Sequence, residues 1–369
     1  MTFYEIVKKY ADFDIENYCA SVDSKQIKNI LSKNNLSELD YLALLSDSAD
    51  CFLEDIAQSA WKKTRQFFGN AVQIFTPLYI SNYCDNVCAY CSFSRQKEIS
   101  RRHLTFEEIE LEAKNISKSG IRHILVLTGE SRSKASPEYI EAAVRIMSRY
   151  FSSVSIEIYP LNGEEYGRLA GAGVDGLTIY QETYEPHLYD KLHKGGPKNN
   201  YVFRLETPER ACMQGMRMVT VGALFGLYNW RYEAFFTGLH AHYLQKKFPW
   251  MEVGVSFPRL RPLSGEFHSE YIISDQKLVK MLTALRNFLP SAGITISTRE
   301  APEFRDAILP MGVTKMSAGV STAVGGHTQN PSTVQFEIAD RRDVTTMKSD
   351  LLEKGYQPVM HDWNSRYIN

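Results

Sequence analysis

The chain has 369 residues, 44% of them hydrophobic, with 42 Lys and Arg against 43 Asp and Glu. A near-neutral balance argues against nucleic-acid binding as a main role, and no apolar run approaches membrane-spanning length, so neither nucleic acid nor membrane is expected as a partner. Residues 1–9 lack the basic-then-apolar pattern of a signal peptide, and six cysteines, three of them clustered, do not look like a secreted disulfide framework, which points to the reducing cytoplasm.

Residues 1–70 carry helical periodicity and no strand pattern. Leu36 to Leu45 and Leu53 to Gln58 place apolar residues three and four apart, as in an amphipathic helix. This region is expected to form a helical extension, with Cys19 and Cys51 as small buried residues. From residue 71, eight apolar runs alternate with amphipathic stretches: Val72–Ile80, His123–Thr128, Val154–Tyr159, Gly176–Tyr180, Met216–Leu224, Val253–Phe257, Ile294–Ser297 and Val313–Ala318. Helix starts are marked by Thr105-Phe106-Glu107-Glu108, a capping box, and by Ser136-Pro137 and Thr207-Pro208, each a cap residue before proline. Asn229 to Phe248 and Asp275 to Phe288 read as longer helices, and Val344 to Leu352 as a last one. Eight alternating units predict an α/β fold, a (β/α)8 barrel over 71–322, with a carboxy-terminal segment over 323–369; a doubly wound open sheet is the alternative.

Directly after the first strand stand Cys84, Cys88 and Cys91, spaced C-x3-C-x2-C. Three thiolates can ligate three irons of a [4Fe–4S] cluster, and with no fourth cysteine nearby one iron stays open to another ligand. The spacing resembles the signature of radical S-adenosylmethionine (SAM) enzymes, whose SAM fills that corner. A structural zinc site is the bland alternative, but zinc wants four closed ligands, and His103 lies twelve residues beyond Cys91.

Polar residues recur where strands should end: the cysteines, Thr128-Gly129-Glu130, Gln181-Glu182-Thr183, Arg259 with Arg261, Arg299-Glu300, and Ser317. Barrel active sites form at those ends. Tyr90 is placed to pack against adenine or simply to fill the loop. Gly129 would let backbone approach a ligand amine, with Glu130 as countercharge. Glu182 suits ribose hydroxyls and Arg204 a carboxylate, although each suits a surface ion pair as well. Gly222 would pass close to adenine or ease a strand out of the barrel. Arg299 in a barrel mouth needs an anion, either a substrate carboxylate or Glu300 or Glu303. Trp230, Trp250, Trp363 and Cys212 read as packing residues.

Taken together, these strings resemble the 2-iminoacetate synthase family, the radical SAM tyrosine lyases of thiamine (thiazole) biosynthesis. The resemblance runs through Thr64 to Asn70, Pro77 to Cys84, Thr128-Gly129-Glu130, Tyr180 to Tyr184, Arg204 to Arg210, Val255 to Pro262, Ser297 to Glu300 and Asp362-Trp363. It implies a [4Fe–4S] cluster on Cys84, Cys88 and Cys91, SAM among Tyr90, Gly129, Glu130, Glu182, Arg204 and Gly222, and a substrate carboxylate on Arg299 and Ser317, with Ser321 close by. It also implies L-tyrosine as substrate, 2-iminoacetate and p-cresol as products, thiazole synthase as partner and a flavodoxin or ferredoxin as reductant. The tyrosine lyase of hydrogenase maturation carries a second cluster on carboxy-terminal cysteines, and no cysteine follows Cys212 here. A tryptophan lyase of indolic-acid biosynthesis and a non-catalytic iron–sulfur scaffold are the alternatives.

Overall fold

The computed structural model describes residues 2–260, 267–328 and 333–361. Arg261, Pro262, Asp362 and Trp363, named above, lie outside them. Eleven strands are present among the described residues: β1 (Ala71–Ser81), β2 (Val87–Cys88), β3 (His123–Thr128), β4 (Ser153–Glu157), β5 (Val174–Glu182), β6 (His193–Gly195), β7 (Met218–Ala223), β8 (Glu252–Ser256), β9 (Gly293–Ile296), β10 (Lys315–Ser317) and β11 (Gln357–Val359).

Eight of them close a parallel barrel in the ring order β1-β3-β4-β5-β7-β8-β9-β10, and β10 returns to β1 through Gln73↔Lys315, Ile74↔Met316 and Phe75↔Ser317. The closed ring decides between the barrel and the open sheet. Each expected strand is there, shifted by at most two or three residues at its ends. Outside the ring, β11 adds a parallel edge to the first three residues of β1, and β2 pairs antiparallel with β6 above the barrel mouth. These three short strands carry no periodic signal. Parallel strands are buried on both faces, which is why β1 reads as an almost unbroken apolar run, with all but two of its eleven residues buried.

Helices surround the ring. Thr105 and Ser136 cap the helices Phe106–Ser117 and Pro137–Met147 by accepting from Glu108 N and Tyr139 N. Thr207 is not a cap: it is the first residue of the helix Thr207–Cys212, and its hydroxyl donates back to Phe203 O. Asn229 caps the helix Trp230–Lys247.

The amino-terminal region is helical as expected and shares the barrel's hydrophobic core. Tyr41 stacks on Phe288 with ring centroids 4.8 Å apart, donates to Ala234 O at 2.9 Å, and lies where a side chain on Gly238 would otherwise stand. Phe3 stacks on His240 at 4.0 Å. Two packing expectations fail: Cys51 is exposed in a short 3-10 helix, and Trp250 is 70% exposed in the turn before β8. A turn on the barrel's outer rim has nothing to cover an indole.

The carboxy-terminal segment is held by charge. Arg305, on the helix Pro302–Ile308, pairs with Asp340, both fully buried, and donates to Ser317 O at 2.6 Å; Arg342 adds a second bridge to Asp340 at 2.7 Å. Removing one partner of a buried pair strands the other's charge. Asp340→Ala should therefore lower the unfolding free energy by roughly 3–5 kcal/mol in urea titration. A loss well under 1 kcal/mol would mean that water reaches Arg305.

Candidate active site

The loop after β1 carries the three cysteines, and its backbone is fixed before any side chain is considered. Gly129 N donates to Ser81 O at 2.9 Å, and Asp85 N donates to Glu130 O at 2.8 Å. Asn82 accepts from Arg102 N and donates to Ser100 O. The Arg101 guanidinium donates to Asn82 O, Phe93 O and Ser94 O within 2.8 Å, closing the loop on itself. Gly129 is required by this crossing: a Cβ there would stand 2.3 Å from Tyr83 O, in the backbone of the cysteine loop. The glycine expected to admit a ligand admits the loop.

All six cysteines are free thiols. Burial pushes the Cys88 thiol up to about 12 and raises that of Cys91, with Lys198 acting in the opposite direction on both. Buried thiols next to a cation suit ligands that ionise on binding a metal. Among the described residues no three His, Cys, Asp or Glu side chains converge on a point that one ion could occupy.

The antiparallel pair β2–β6 brings the loop after β5 up against the cysteines, and Asn86 joins the two. Its Nδ2 donates to Glu130 at 2.6 Å and lies 3.7 Å from Cys84 Sγ, while its Oδ1 accepts from Lys198 N at 2.9 Å. Lys198 Nζ reaches Glu182 at 2.6 Å, and Arg204 holds the same carboxylate at 3.3 Å and Tyr180 O at 2.8 Å. Burial raises the Glu182 carboxyl, but Lys198 and Arg204 outweigh it and hold the group below its ordinary value. Glu182 is also the only non-glycine residue among those described with positive φ, at 71°, and β5 slips register there against β7. Backbone strain of this kind concentrates at functional sites.

Tyr90 donates to His193 Nε2 at 2.7 Å, because His193 Nδ1 must itself donate to Tyr189 O at 2.7 Å. Burial drives that imidazole down to about 3, so it stays neutral. The Gly222 position is filled from within: a Cβ would stand 2.4 Å from Ser256 O and 3.1 Å from Tyr180. Barrel packing accounts for this glycine.

Below the cysteines, the barrel mouth opens into a cavity of about 160 Å³. Cys91, Tyr90, Glu182 and Lys198 line it, as do Arg299 and Ser317 after β9 and on β10, and Glu157 at the end of β4. Glu300 is engaged by Arg259, which also holds Asp275 at 2.7 Å, so Arg259 is committed to the wall and Glu300 is not available to Arg299. Among the described residues no carboxylate lies within ion-pair distance of Arg299; its guanidinium lies 3.5 Å from the Phe336 ring centroid, and burial pulls it below its ordinary value. Ser317 Oγ accepts from Thr298 N at 3.2 Å and keeps its own proton to donate. Ser321 does not line the cavity.

Sequence reading missed Asn86, Lys198, His193, Arg101 and Glu157. Two signals were available. Gly195-Gly196-Pro197 precedes Lys198, and Gly196, at φ 92°, leaves no room for a Cβ beside Asn86. Glu157 is an acid that ends β4 on the same parity as Ser153 and Ser155, opposite to the apolar Val154 and Ile156.

The Radical SAM superfamily profile matches residues 78–236, and that of the Biotin and Thiamin Synthesis associated domain matches 256–357. The 2-iminoacetate synthase of Salmonella typhimurium is 39% identical over 341 residues, 92% of this chain and 90% of that protein. Its Escherichia coli counterpart is 38% identical over the same shares. The crystal structure of HydG, a maturase of the [FeFe]-hydrogenase, superposes with a TM-score of 0.90 at 30% identity, over 96% of this chain and 80% of that one.

The Gly129 crossing yields a test. Gly129→Ala must displace the Tyr83 carbonyl and with it the cysteine loop, so the variant should retain well under half the wild-type iron and sulfide after anaerobic reconstitution, with an unchanged far-UV circular dichroism spectrum. Full iron content would show that the loop yields without cost.

Proposed function

This chain belongs to the 2-iminoacetate synthase family of the radical SAM superfamily, and from that premise we propose that its barrel mouth cleaves the Cα–Cβ bond of L-tyrosine, giving 2-iminoacetate and p-cresol. The enzyme uses a [4Fe–4S] cluster and SAM. Cys84, Cys88 and Cys91 would hold the cluster, and Tyr90, Glu130, Glu182 and Arg204 would surround SAM, with Lys198 added by its bridge to Glu182 and Gly129 serving to admit the Tyr83 carbonyl of the cysteine loop. Gly222, which the resemblance puts beside SAM, serves the barrel by allowing β7 and β8 to approach. Once bound, the pair supplies one-electron chemistry that ends in 5′-deoxyadenosine and methionine.

The chain's own part is binding, orientation and exclusion of water. The observation that carries the reading is the half-buried Arg299 guanidinium, which faces the cavity with no carboxylate of the described residues within ion-pair distance, Glu157 and Glu182 acting on it only from farther off. A cation left so needs an anion from outside, and the α-carboxylate of an amino acid matches its planar fork. Ser317, on the adjacent strand, donates to the same carboxylate. Phe75, Pro77, Leu125 and Leu127 offer an apolar wall for a ring. Phe336 covers Arg299 from above, and Tyr79 and Ser92 tie that segment down by donating to the side chain and the backbone carbonyl of Gln335 at 2.7 Å each. Such closure protects an imine from hydrolysis.

The product would pass to thiazole synthase, and a flavodoxin or ferredoxin would supply electrons. Free thiols throughout favour the cytoplasm, and among the described residues no helix is long and apolar enough to cross a membrane.

Anaerobic incubation of the reconstituted protein with SAM, dithionite and L-tyrosine should give p-cresol and 5′-deoxyadenosine together. Deoxyadenosine without p-cresol from tyrosine would move the substrate elsewhere, with tryptophan tested next. Arg299→Ala should raise the tyrosine KM at least tenfold, in line with loss of a charged hydrogen bond; an unchanged KM would remove Arg299 from the carboxylate site.

A further inference from the structure

The cavity holds one more ionisable group for which the proposed chemistry has no role. Glu157 ends β4, on the same pleat as Ser155, so its side chain points into the barrel. It makes no hydrogen bond or ion pair with any described residue. The other cavity carboxylate, Glu182, is held by Lys198 and Arg204, and the phenols of Tyr79 and Tyr180 are engaged by Gln335 and Ser256. Glu157 is thus a hydrogen-bond acceptor facing the cavity with nothing among the described residues to accept from, in surroundings where an unsatisfied carboxylate is costly.

Its place in the ring says which part of a ligand it meets. In the order β1-β3-β4-β5-β7-β8-β9-β10, β4 lies diametrically across from β9, the strand that leads into Arg299, and β5 lies across from β10, which carries Ser317. Between the two walls lie Phe75, Pro77, Leu125 and Leu127. An amino acid whose carboxylate rests on Arg299 and Ser317 keeps its ammonium on that same wall, because both groups share one carbon. The group that reaches the far wall, past the apolar stretch, is the end of the side chain. Resting on the tyrosine-lyase reading above, we propose that Glu157 is the substrate-recognition residue that accepts the hydrogen bond of the tyrosine phenol hydroxyl, and so selects a hydroxylated ring over a bare one. A site built to pair a substrate hydroxyl rejects the analogue without it, because its own polar group is then left unpaired.

The electrostatics agree with an acceptor that ionises near neutrality. Burial raises the Glu157 carboxyl to about 7, Glu182 adds to the rise, and Arg299, Arg204 and Lys198 oppose it, with the neutral phenols of Tyr79 and Tyr180 alongside. Below that pH the group is protonated and accepts weakly. Above it the carboxylate accepts a charge-assisted bond.

The test compares two amino acids on the reconstituted, SAM-loaded enzyme. For wild type, Glu157→Gln and Glu157→Leu, the KM of L-tyrosine for p-cresol formation is measured beside the Ki of L-phenylalanine as competitor. Glu157→Leu should raise the tyrosine KM roughly 10- to 100-fold, with the phenylalanine Ki unchanged or lower and iron content unaltered. The wild-type KM should also fall as pH rises through about 7, and that dependence should vanish in Glu157→Gln. Equal weakening of both amino acids would place Glu157 at the amino-acid end and overturn the proposal, as would an unchanged tyrosine KM. Wild-type protein that forms no p-cresol would bring down the tyrosine-lyase reading itself, and the phenol site with it.

Discussion

The site depends on one side chain that has no chemistry of its own. Asn86 donates to Glu130 and accepts from Lys198 N, and so ties the cysteine loop to the end of β3 and to the loop after β5. These segments lie 44 and 112 residues from it along the chain. A neutral amide suits the position because it donates and accepts at once, close to the Cys84 thiol. A carboxylate there would repel Glu130 and could not donate; an aliphatic residue would leave Lys198 N without its acceptor.

The back of the site is braced in a similar way. Glu182 holds a left-handed backbone that costs on the order of 1–3 kcal/mol for a residue with a side chain. The next two residues oppose relaxation: Thr183 Oγ1 donates to Glu233, and Tyr184 N donates to its other oxygen at 2.9 Å. Burial raises the Glu233 carboxyl to about 8. Tyr184 OH meets His240 Nδ1 at 3.0 Å, and Phe3 covers the face of that imidazole. The amino-terminal helices therefore support the strained turn from behind, as well as covering the barrel wall.

Much of this was legible in the sequence because parallel strands are buried on both faces and announce themselves as apolar runs, and because the cysteine spacing is short-range. The strand ends told which polar residues would line the cavity. Pairings between distant segments were not legible. Arg299 and Glu300 are neighbours in sequence and look like partners, yet Arg259, forty-one residues before Glu300, takes the carboxylate and leaves Arg299 facing the cavity. Gly129 was read as space for a ligand and proved to be space for the Tyr83 carbonyl. Lys198 gave no local sign of being drawn into the site, since only the β2–β6 pairing brings it beneath the cysteines. Trp250 was misjudged for the converse reason: nothing in a local window says whether a rim turn will be covered.

The closure of the ring sets an order of events at the ribosome. β1 is made early, yet the strand that covers one of its edges begins at Lys315, and the residues that cover its first turn of pairing begin at Gln357. At translation rates of 5–20 residues per second, the stretch from residue 81 to 315 takes about 10 to 50 s. For that time an eleven-residue apolar strand carries an unpaired edge, the kind that templates association with other chains. Ser317 and Arg299 are among the last cavity residues to emerge, so no nascent chain owns that wall of the cavity before it owns nearly all of its barrel. Crowded synthesis is therefore the stage at which this fold is most exposed to self-association, and a chaperone that shields the β1 edge would act there.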